Sequence, residues 1–239
     1  MTSLLKRIGQ SVRWRLGMPV AAAELEVGTD ESVTKFYNDR ITHCEFLDDP
    51  THYEYPRAQW VLAQVGGESL LEIGCGNGGM TRLLAPKVGQ LTAFDVSAPS
   101  LKLVDELGLP NVTTVQGLIE NFRPERQFYN VVLSEVIEHI REPLNCIASA
   151  FRCVAPTGAL IITTPNGHWE SDEHLHEFSL QTFSEMLAQT GCESFETAYL
   201  RDRDDRRRWL TGILRRAESE PTADDFFDRK AIASKRRAR

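Results

Sequence analysis

The sequence lacks the features that mark secreted, disulfide-linked or membrane-spanning proteins. It has five cysteines, and no two of them form a CxxC pair. Because their number is odd and no CxxC pair occurs, the cysteines are predicted to be reduced and to pack as small apolar side chains. No apolar run approaches the roughly 18 residues of a spanning helix, and no apolar stretch typical of a secretion signal follows the basic start MTSLLKRIGQ. These absences predict a cytoplasmic protein whose core needs no covalent links.

Positive charge is scarce in the middle of the chain. The net charge is −7 over 239 residues, but residues 1–17 contribute +4 and residues 201–239 contribute +5, which leaves −16 for residues 18–200. An acidic body repels a phosphate backbone, so we do not expect nucleic-acid binding. Residues 2–17 predict an amphipathic helix. We expect this helix to pack on the domain, and contact of this segment or of the basic C-terminal part with a partner or a membrane surface is the alternative.

Short apolar runs alternate with helical segments from residue 56 onward. SLLEI, QLTAFDV, NVTTVQ, FYNVVLSEV and GALIITTPN have the length of buried strands. This alternation is typical of a mostly parallel sheet with helices on both faces. Right-handed crossovers then predict an α/β, Rossmann-like, doubly wound fold with a seven-stranded sheet.

We divide the chain into three expected parts. An N-terminal helical segment and lid covers residues 1–55, the sheet domain covers residues 56–200, and a charged extension covers residues 201–239. Within the extension, RRRWLTGIL favours a helix and FDRKAIASKR favours a last edge strand.

A glycine turn and a distant acid together indicate a nucleoside site. LLEIGCGNGG places Gly74 and Gly76 directly after a strand, where a ligand approaches the backbone at the start of a helix. Asp95 ends the next strand, 21 residues after Gly74, at the position that binds ribose hydroxyls. The same GxGxxG pattern would serve NAD. Glu72 argues against NAD, because a carboxylate repels a pyrophosphate and attracts an ammonium group.

Five motifs in order, LLEIGCGNGG, FDVS, VVLSEVIEHI, GALIITTPN and HLHEFS, resemble the class I S-adenosylmethionine-dependent methyltransferases. The resemblance implies S-adenosyl-L-methionine as the cofactor. It also implies that the Glu72-type acid orients the cofactor amino group and that the Asp95-type acid holds the ribose. The expected cofactor-binding residues are Glu72, Gly74, Cys75, Gly76, Asp95, Val96, Leu118, Ile119, Ser134 and Glu135. The family's usual Gly-Asp is Gly117-Leu118 here, so adenine is expected to rest on apolar contacts.

The segment SEVIEHI supplies the expected catalytic residues. It follows the fourth strand and therefore reaches the carboxyl edge of the sheet, where ligands bind. Methyl transfer to a hydroxyl needs alignment and removal of the hydroxyl proton. His139 is the predicted general base, with Glu138 as the carboxylate that orients it. The alternative is that His139 only caps a helix or binds a loop carbonyl.

Metal binding by the same segment is an alternative that we do not favour. Glu135, Glu138 and His139 match the Glu-x-x-Glu-His motif of small-RNA 2′-O-methyltransferases, and carboxylates with imidazoles suit a divalent metal. Those enzymes usually have an adjacent histidine where this chain has Ile140. We therefore expect no metal ligand.

Substrate contacts are expected from two segments. His174 and His176 follow the fifth strand and return to the same edge, where we expect them to anchor a lid and contact the acceptor. Residues 31–57 are expected to form a roof, in which Tyr37 is the predicted acceptor contact.

The motif combination is most similar to the branch that methylates hydroxyls of quinones, sugars and secondary metabolites. We therefore expect O-methylation of a small-molecule or saccharide acceptor. Two alternatives stay open, namely a metal-dependent RNA 2′-O-methyltransferase and a catalytically silent cofactor-binding scaffold subunit that docks through its basic ends.

Overall fold

A computed structural model gives the fold, and it describes residues 30–40, 44–169, 171, 173–192 and 194–216. The helix expected over residues 2–17 and the edge strand expected over residues 227–236 lie outside the described residues. Within the described part, no helix is both long and apolar enough to span a bilayer.

Seven strands and six α-helices make up the described part of the chain. The strands are β1 Ser69–Ile73, β2 Gln90–Asp95, β3 Val112–Gln116, β4 Phe128–Ser134, β5 Val154–Pro165, β6 Ser194–Arg201 and β7 Arg207–Arg215. The helices are α1 Asp30–Asn38, α2 Tyr55–Gln64, α3 Thr81–Leu84, α4 Ala98–Glu106, α5 Pro143–Arg152 and α6 Leu180–Ala188. Short 3₁₀ turns occur at Glu45–Asp48, Ala85–Lys87, Ile119–Asn121 and Ile137–His139.

Local sequence explains where the helices begin. A proline lies in the first turn of α2, α4 and α5, where its missing N–H costs no hydrogen bond. Ser97 caps α4 by accepting a hydrogen bond from the Ser100 amide. Ser179 and Thr182 form a reciprocal capping box at the start of α6.

All seven strands form one sheet in the order β3-β2-β1-β4-β5-β7-β6. The first five strands of this order are parallel to one another, and β7 is antiparallel to both β5 and β6. The predicted Rossmann-like, mostly parallel seven-stranded fold is therefore confirmed. The strand order reverses direction between β1 and β4, and ligands of such sheets bind outside the carboxyl ends of the strands at that point.

The helix predicted for RRRWLTGIL is wrong, because these residues form most of β7. The strand lies between β5 and β6 in the sheet, and consecutive residues from Trp209 to Leu214 are buried, so both of its faces are covered. A strand buried on both faces has a continuous apolar run without alternation, which periodicity does not distinguish from a buried helix. The sheet thus extends to Arg215, beyond the domain boundary expected at residue 200.

The core consists of two layers on the two faces of the sheet. One layer joins Leu71 and Val131 to helices α5 and α6, and the other joins Leu70 and Val132 to helices α2, α3 and α4. All five cysteines carry free thiols, as predicted. The described fold is thus held by apolar burial on both faces of the sheet.

Candidate active site

A cavity of about 360 Å³ opens at the carboxyl ends of β1, β2 and β4. This volume lies within the range of about 300–1,000 Å³ for small-molecule sites. All ten residues predicted to bind the cofactor line the cavity, namely Glu72, Gly74, Cys75, Gly76, Asp95, Val96, Leu118, Ile119, Ser134 and Glu135. Glu138, His139, Tyr37 and His174 line it as well, whereas His176 does not.

The glycine turn after β1 has a backbone that only glycine adopts easily. Gly74 and Gly76 have φ angles of 73° and 52°. A Cβ atom on Gly74 would lie 2.5 Å from Val136 Cγ2. The amides of Gly74 and Cys75 both donate to the carbonyl of Phe94. The turn is therefore tied to the end of β2 and has no room for a side chain at position 74.

Asp95 is fixed by the backbone of this turn. Its Oδ2 atom accepts a hydrogen bond from the Gly76 amide at 2.9 Å, and its Oδ1 atom accepts one from the Ser97 amide at 2.8 Å. Burial raises the pKa of Asp95, and these amide donors oppose the shift. Each carboxylate oxygen accepts up to two hydrogen bonds, so both retain capacity for a ligand hydroxyl.

Glu72 is a buried carboxylate on the floor of the cavity. Its side chain accepts a hydrogen bond from Thr81 Oγ1 at 2.7 Å. Burial raises the pKa of Glu72 to about 8, although the Thr81 bond acts in the opposite direction. Such a carboxyl group is stabilised in its ionised form by a cation in the cavity.

Arg57 is a site residue that the sequence analysis missed. It lies in the first turn of α2, is 4% exposed and lines the cavity. It forms an ion pair with Glu54 and donates to Ser134 Oγ at 2.6 Å. Its Nε atom is buried without a hydrogen-bond partner among the described residues. A basic residue in the first turn of a helix opposes the helix dipole, and that anomaly was the available signal.

A directed chain of hydrogen bonds connects Arg57 with Glu135. The guanidinium donates to Ser134, the hydroxyls of Ser134 and Thr163 lie 2.9 Å apart, and Thr163 donates to Glu135 Oε1 at 3.0 Å. Since Thr163 uses its hydrogen on Glu135, Ser134 is the donor to Thr163. Glu135 has a φ angle of 56°, an uncommon backbone conformation for a residue with a side chain. The chain therefore links the roof at α2 to the end of β4.

His139 has one ring nitrogen committed and one free. Its Nδ1 atom lies 3.1 Å from the carbonyl oxygen of Glu173. A carbonyl only accepts, so Nδ1 carries the proton and Nε2 retains a lone pair. Burial lowers the pKa of His139, which keeps the ring neutral. The arrangement suits a base that accepts a proton at Nε2.

Glu138 does not lie where a carboxylate that orients His139 is expected. Such a carboxylate would accept the Nδ1 proton, whereas Glu138 lies on the Nε2 side of the His139 ring. Its Oε1 atom is 3.7 Å from His139 Nε2, the nitrogen with the free lone pair. The Glu173 carbonyl, not Glu138, therefore fixes the ring through Nδ1. Thr164 donates to Glu138 Oε2 at 2.9 Å, and Oε1 is buried with no hydrogen-bond partner in the described structure. Burial raises the pKa of Glu138.

The loop after β5 folds back over the 3₁₀ turn at Ile137–His139. The Leu175 and His176 amides both donate to the Glu138 carbonyl. His176 donates through Nε2 to the carbonyl of Arg141, so its side chain anchors the loop instead of facing the cavity. His174 faces the cavity with its ring 4.8 Å from that of His139.

Aromatic side chains line a further part of the cavity, which we call its acceptor end because the acceptor is expected there. Tyr37, Tyr53 and Trp169 belong to its lining, and the rings of Tyr53 and Trp169 have centroids 6.2 Å apart. The hydroxyl of Tyr37 is buried without a hydrogen-bond partner among the described residues. The amide of Ala98 donates to Asn38 at the end of α1, which ties this part of the roof to the start of α4.

The fold and the cavity define a Rossmann-like protein with a nucleoside site at the switch point of its sheet. A family model described as "Methyltransferase domain" matches residues 45–203, which is more than half of the chain. The chain belongs to this methyltransferase family, and the resemblance to the class I S-adenosylmethionine-dependent enzymes is confirmed.

Two curated relatives carry the name ubiquinone biosynthesis O-methyltransferase. The one from Pseudomonas fluorescens is 32% identical over 151 residues, which cover 59% of this chain and 62% of that protein. The one from Paracidovorax citrulli is 29% identical over 126 residues, which cover 49% and 53%. This chain thus spans between half and two thirds of the length of these relatives.

A solved structure supports the fold assignment. The N-methyltransferase NodS from Bradyrhizobium japonicum, in complex with S-adenosyl-L-homocysteine, matches with a TM-score of 0.59 at 21% identity. The match covers 71% of this chain and 90% of that chain. At this level of identity the likeness shows the shared fold.

Proposed function

We propose that this protein transfers the methyl group of S-adenosyl-L-methionine to a hydroxyl of a small-molecule or saccharide acceptor. The observation that carries the proposal is the His139 ring, whose Nε2 lone pair is free in the same cavity as Asp95. A nucleoside site and a neutral base within one small cavity suit proton removal from an acceptor beside a bound methyl donor.

The residues at the nucleoside end have complementary roles toward this cofactor. Bound S-adenosyl-L-methionine supplies an electrophilic methyl group on a sulfonium. Glu72 faces its ammonium group, and Asp95 accepts from its ribose hydroxyls. Leu118 and Ile119 provide apolar contacts for adenine. Among the described lining residues Arg57 is the only lysine or arginine, and its unpartnered Nε suits the cofactor carboxylate.

The residues at the acceptor end handle the proton. His139 accepts the hydroxyl proton at Nε2 while Nδ1 stays bonded to the Glu173 carbonyl. In the structure Glu138 Oε1 lies 3.7 Å from His139 Nε2. An ionised carboxylate at that position stabilises the positive charge of the resulting imidazolium. Glu138 therefore supports the protonated base instead of orienting the neutral one.

A small acceptor suits the shape and charge of the cavity better than RNA. The acceptor end is enclosed by Tyr37, Tyr53 and Trp169, and it carries the carboxylates of Glu138 and Glu173. These carboxylates repel a phosphate backbone. A cytoplasmic location, and contacts of residues 1–17 or 201–239 with a partner or a membrane surface, stay predictions.

The test is methyl transfer from labelled S-adenosyl-L-methionine to a panel of phenols, catechols and sugars. Replacing His139 by glutamine is expected to lower turnover by about 10²- to 10⁴-fold, the usual contribution of a general base, with S-adenosyl-L-homocysteine affinity unchanged. His168→Gln is the matched control, because His168 lies on the loop after β5 that packs over the His139 turn, pairs with Glu177 and does not line the cavity. Full turnover by His139→Gln would contradict the proposal, and so would binding of cofactor without transfer to any hydroxyl.

A metal-assisted reaction is the second candidate, and a specific cluster favours it. Glu138, His139 and His174 each offer one possible ligand atom, and these three atoms lie within 4.8 Å of one another. The unpartnered Glu138 Oε1 and the free Nε2 of His139 fit a divalent cation, and the Nδ1 bond to a carbonyl is typical of metal-binding histidines. A metal held there would polarise the acceptor oxygen.

Chelation distinguishes the two candidates. Base catalysis by His139 predicts that activity survives treatment with EDTA and that calorimetry detects no Mn²⁺ binding. The metal candidate predicts loss of activity in EDTA, recovery with Mn²⁺, and Mn²⁺ binding that Glu138→Gln abolishes.

A further inference from the structure

The cavity is lined by many more carboxyl groups than basic groups. Seven acidic side chains line it, and Arg57 is the only lysine or arginine among the lining residues that the structure describes. Arg57 already forms an ion pair with Glu54. The two lining histidines are neutral, because burial lowers the pKa of His139 and lowers that of His174 to about 4.

The cofactor proposed above accounts for only some of these carboxyl groups. Glu72 and Asp95 belong to the nucleoside end, where they face the ammonium and ribose groups of that cofactor. Glu138 and Glu173 lie toward the acceptor. Glu138 accepts a hydrogen bond from the neutral hydroxyl of Thr164, and its buried Oε1 atom has no hydrogen-bond partner among the described residues.

Two arginines lie at the rim of the acceptor end, but both already contact carboxylates. Arg40 is 3.9 Å from Glu173, and its side chain is 51% exposed, so the pair is weak. Arg208 forms an ion pair with Asp202, and its guanidinium lies over the rings of Tyr53 and Trp169 at 5.3 and 5.5 Å. Neither arginine adds an uncompensated positive charge to the cavity.

The aromatic rings of the acceptor end act in the same direction as the carboxylates. Tyr37, Tyr53 and Trp169 line this end, and the faces of such rings attract cations. Arg208 already shows this attraction on two of the three rings. Carboxylates combined with aromatic faces form the environment that proteins use to bind ammonium groups.

We infer that the acceptor carries a positively charged amine, recognised by Glu138, Glu173 and the aromatic wall formed by Tyr37, Tyr53 and Trp169. The inference rests on the proposed function and adds the charge class of the acceptor. The amine is a recognition group, and the hydroxyl remains the methylated group. An amine-bearing phenol and an amino sugar share this chemistry.

Binding to the complex with S-adenosyl-L-homocysteine tests the charge class without turnover. The aromatic probes are dopamine, 3,4-dihydroxyphenylacetate and 4-(2-hydroxyethyl)catechol, which share a ring and differ in charge. The saccharide probes are glucosamine, glucuronate and glucose. We expect the cation of one set to bind about tenfold more tightly than its neutral analogue, a typical effect of a cation–π contact with a carboxylate nearby, and the anion to bind most weakly. The set that shows this order identifies the acceptor as a phenol or a sugar.

Glu173→Gln is the informative variant, since its backbone carbonyl, which holds His139, is retained. It is expected to reduce the preference for the cation over the neutral probe, whereas Glu177→Gln, on the same loop but outside the cavity, leaves the preference unchanged. Equal or tighter binding of the neutral or anionic probe overturns the inference, and so does failure of both cations to bind at millimolar concentration. Failure of the proposed function gives a different result, namely no binding of S-adenosyl-L-homocysteine or no methylated hydroxyl.

Discussion

The Gly76 amide donates a hydrogen bond to Asp95 Oδ2 at 2.9 Å and thereby joins the glycine turn after β1 to the end of β2. The second oxygen of Asp95 is held by the Ser97 amide at 2.8 Å. Two backbone donors therefore fix the carboxylate before any ligand arrives. A preorganised acceptor of this kind needs little ordering when a ribose binds.

Replacing Asp95 by alanine should weaken cofactor binding strongly. The change removes the acceptor of the ribose hydroxyls and leaves the Gly76 amide without its partner. Loss of hydrogen bonds to a charged group predicts about a 10- to 100-fold lower affinity for S-adenosyl-L-homocysteine, measured by calorimetry. Asp105→Ala is the control, because Asp105 is exposed and its side chain accepts a hydrogen bond from Thr114. Unchanged affinity in Asp95→Ala would remove Asp95 from the site.

Replacing Gly74 by alanine should damage both stability and binding. The positive φ angle alone costs about 1–2 kcal/mol for a residue with a Cβ atom, and the Cβ would also collide with Val136. Gly108→Ala separates the two effects, since Gly108 has a φ angle of 63° and no atom within 4 Å of an added Cβ. Thermal unfolding should show a larger loss for Gly74→Ala, and only that variant should lose cofactor affinity. Equal losses would mean that the contact with Val136 has no effect.

Cofactor binding should release a proton from Glu72. In the free protein burial raises the pKa of Glu72 to about 8, so the carboxyl group is mostly protonated at pH 7. An ammonium group favours the ionised form and lowers the pKa, so affinity should rise with pH up to about 8 and then level off. Calorimetry in two buffers of different ionisation enthalpy measures the proton directly. Glu72→Gln should abolish both the release and the pH dependence, and their persistence would assign them to another group.

Replacing Arg57 by methionine should destabilise the protein and weaken cofactor binding. The change leaves Glu54 and Glu135 without the cation beside them, and breaking a buried ion pair costs about 3–5 kcal/mol. Arg57→Lys keeps the charge but not the paired hydrogen bonds, so an intermediate effect is expected. Arg126→Met, on the exposed surface, is the control for chemical denaturation and for binding. An Arg57→Met variant with normal stability and affinity would show that the chain to Glu135 is unimportant.

The parallel part of the fold was predictable because its signals are local. SLLEI and QLTAFDV correspond to β1 and β2. The turn between them has positive φ angles at Gly74 and Gly76, and glycine at these positions indicates such angles in the sequence. The ten predicted cofactor residues line one cavity because all of them lie in the last residues of strands, or directly after strands, that end at the same edge of the sheet. Strand β7 was missed because both of its faces are buried, so its apolar run lacks the alternation that marks a strand.

The acceptor end was less predictable because side-chain direction depends on tertiary contacts. Glu138 and His139 are adjacent in the sequence, and the prediction paired them for that reason. The hydrogen bond that fixes the His139 ring is instead accepted by the backbone carbonyl of Glu173, which has no sequence signature. His176 was assigned to the substrate, yet its ring bonds the Arg141 carbonyl. Arg57 was not predicted to be a site residue.

The most direct test of the central claim is a calorimetric titration of the wild-type chain with S-adenosyl-L-homocysteine and, separately, with NAD. The account predicts one S-adenosyl-L-homocysteine bound per chain and no measurable binding of NAD, because the site pairs Glu72 with an ammonium group, which NAD lacks. Binding of NAD at this cavity, or no binding of S-adenosyl-L-homocysteine, would contradict the account.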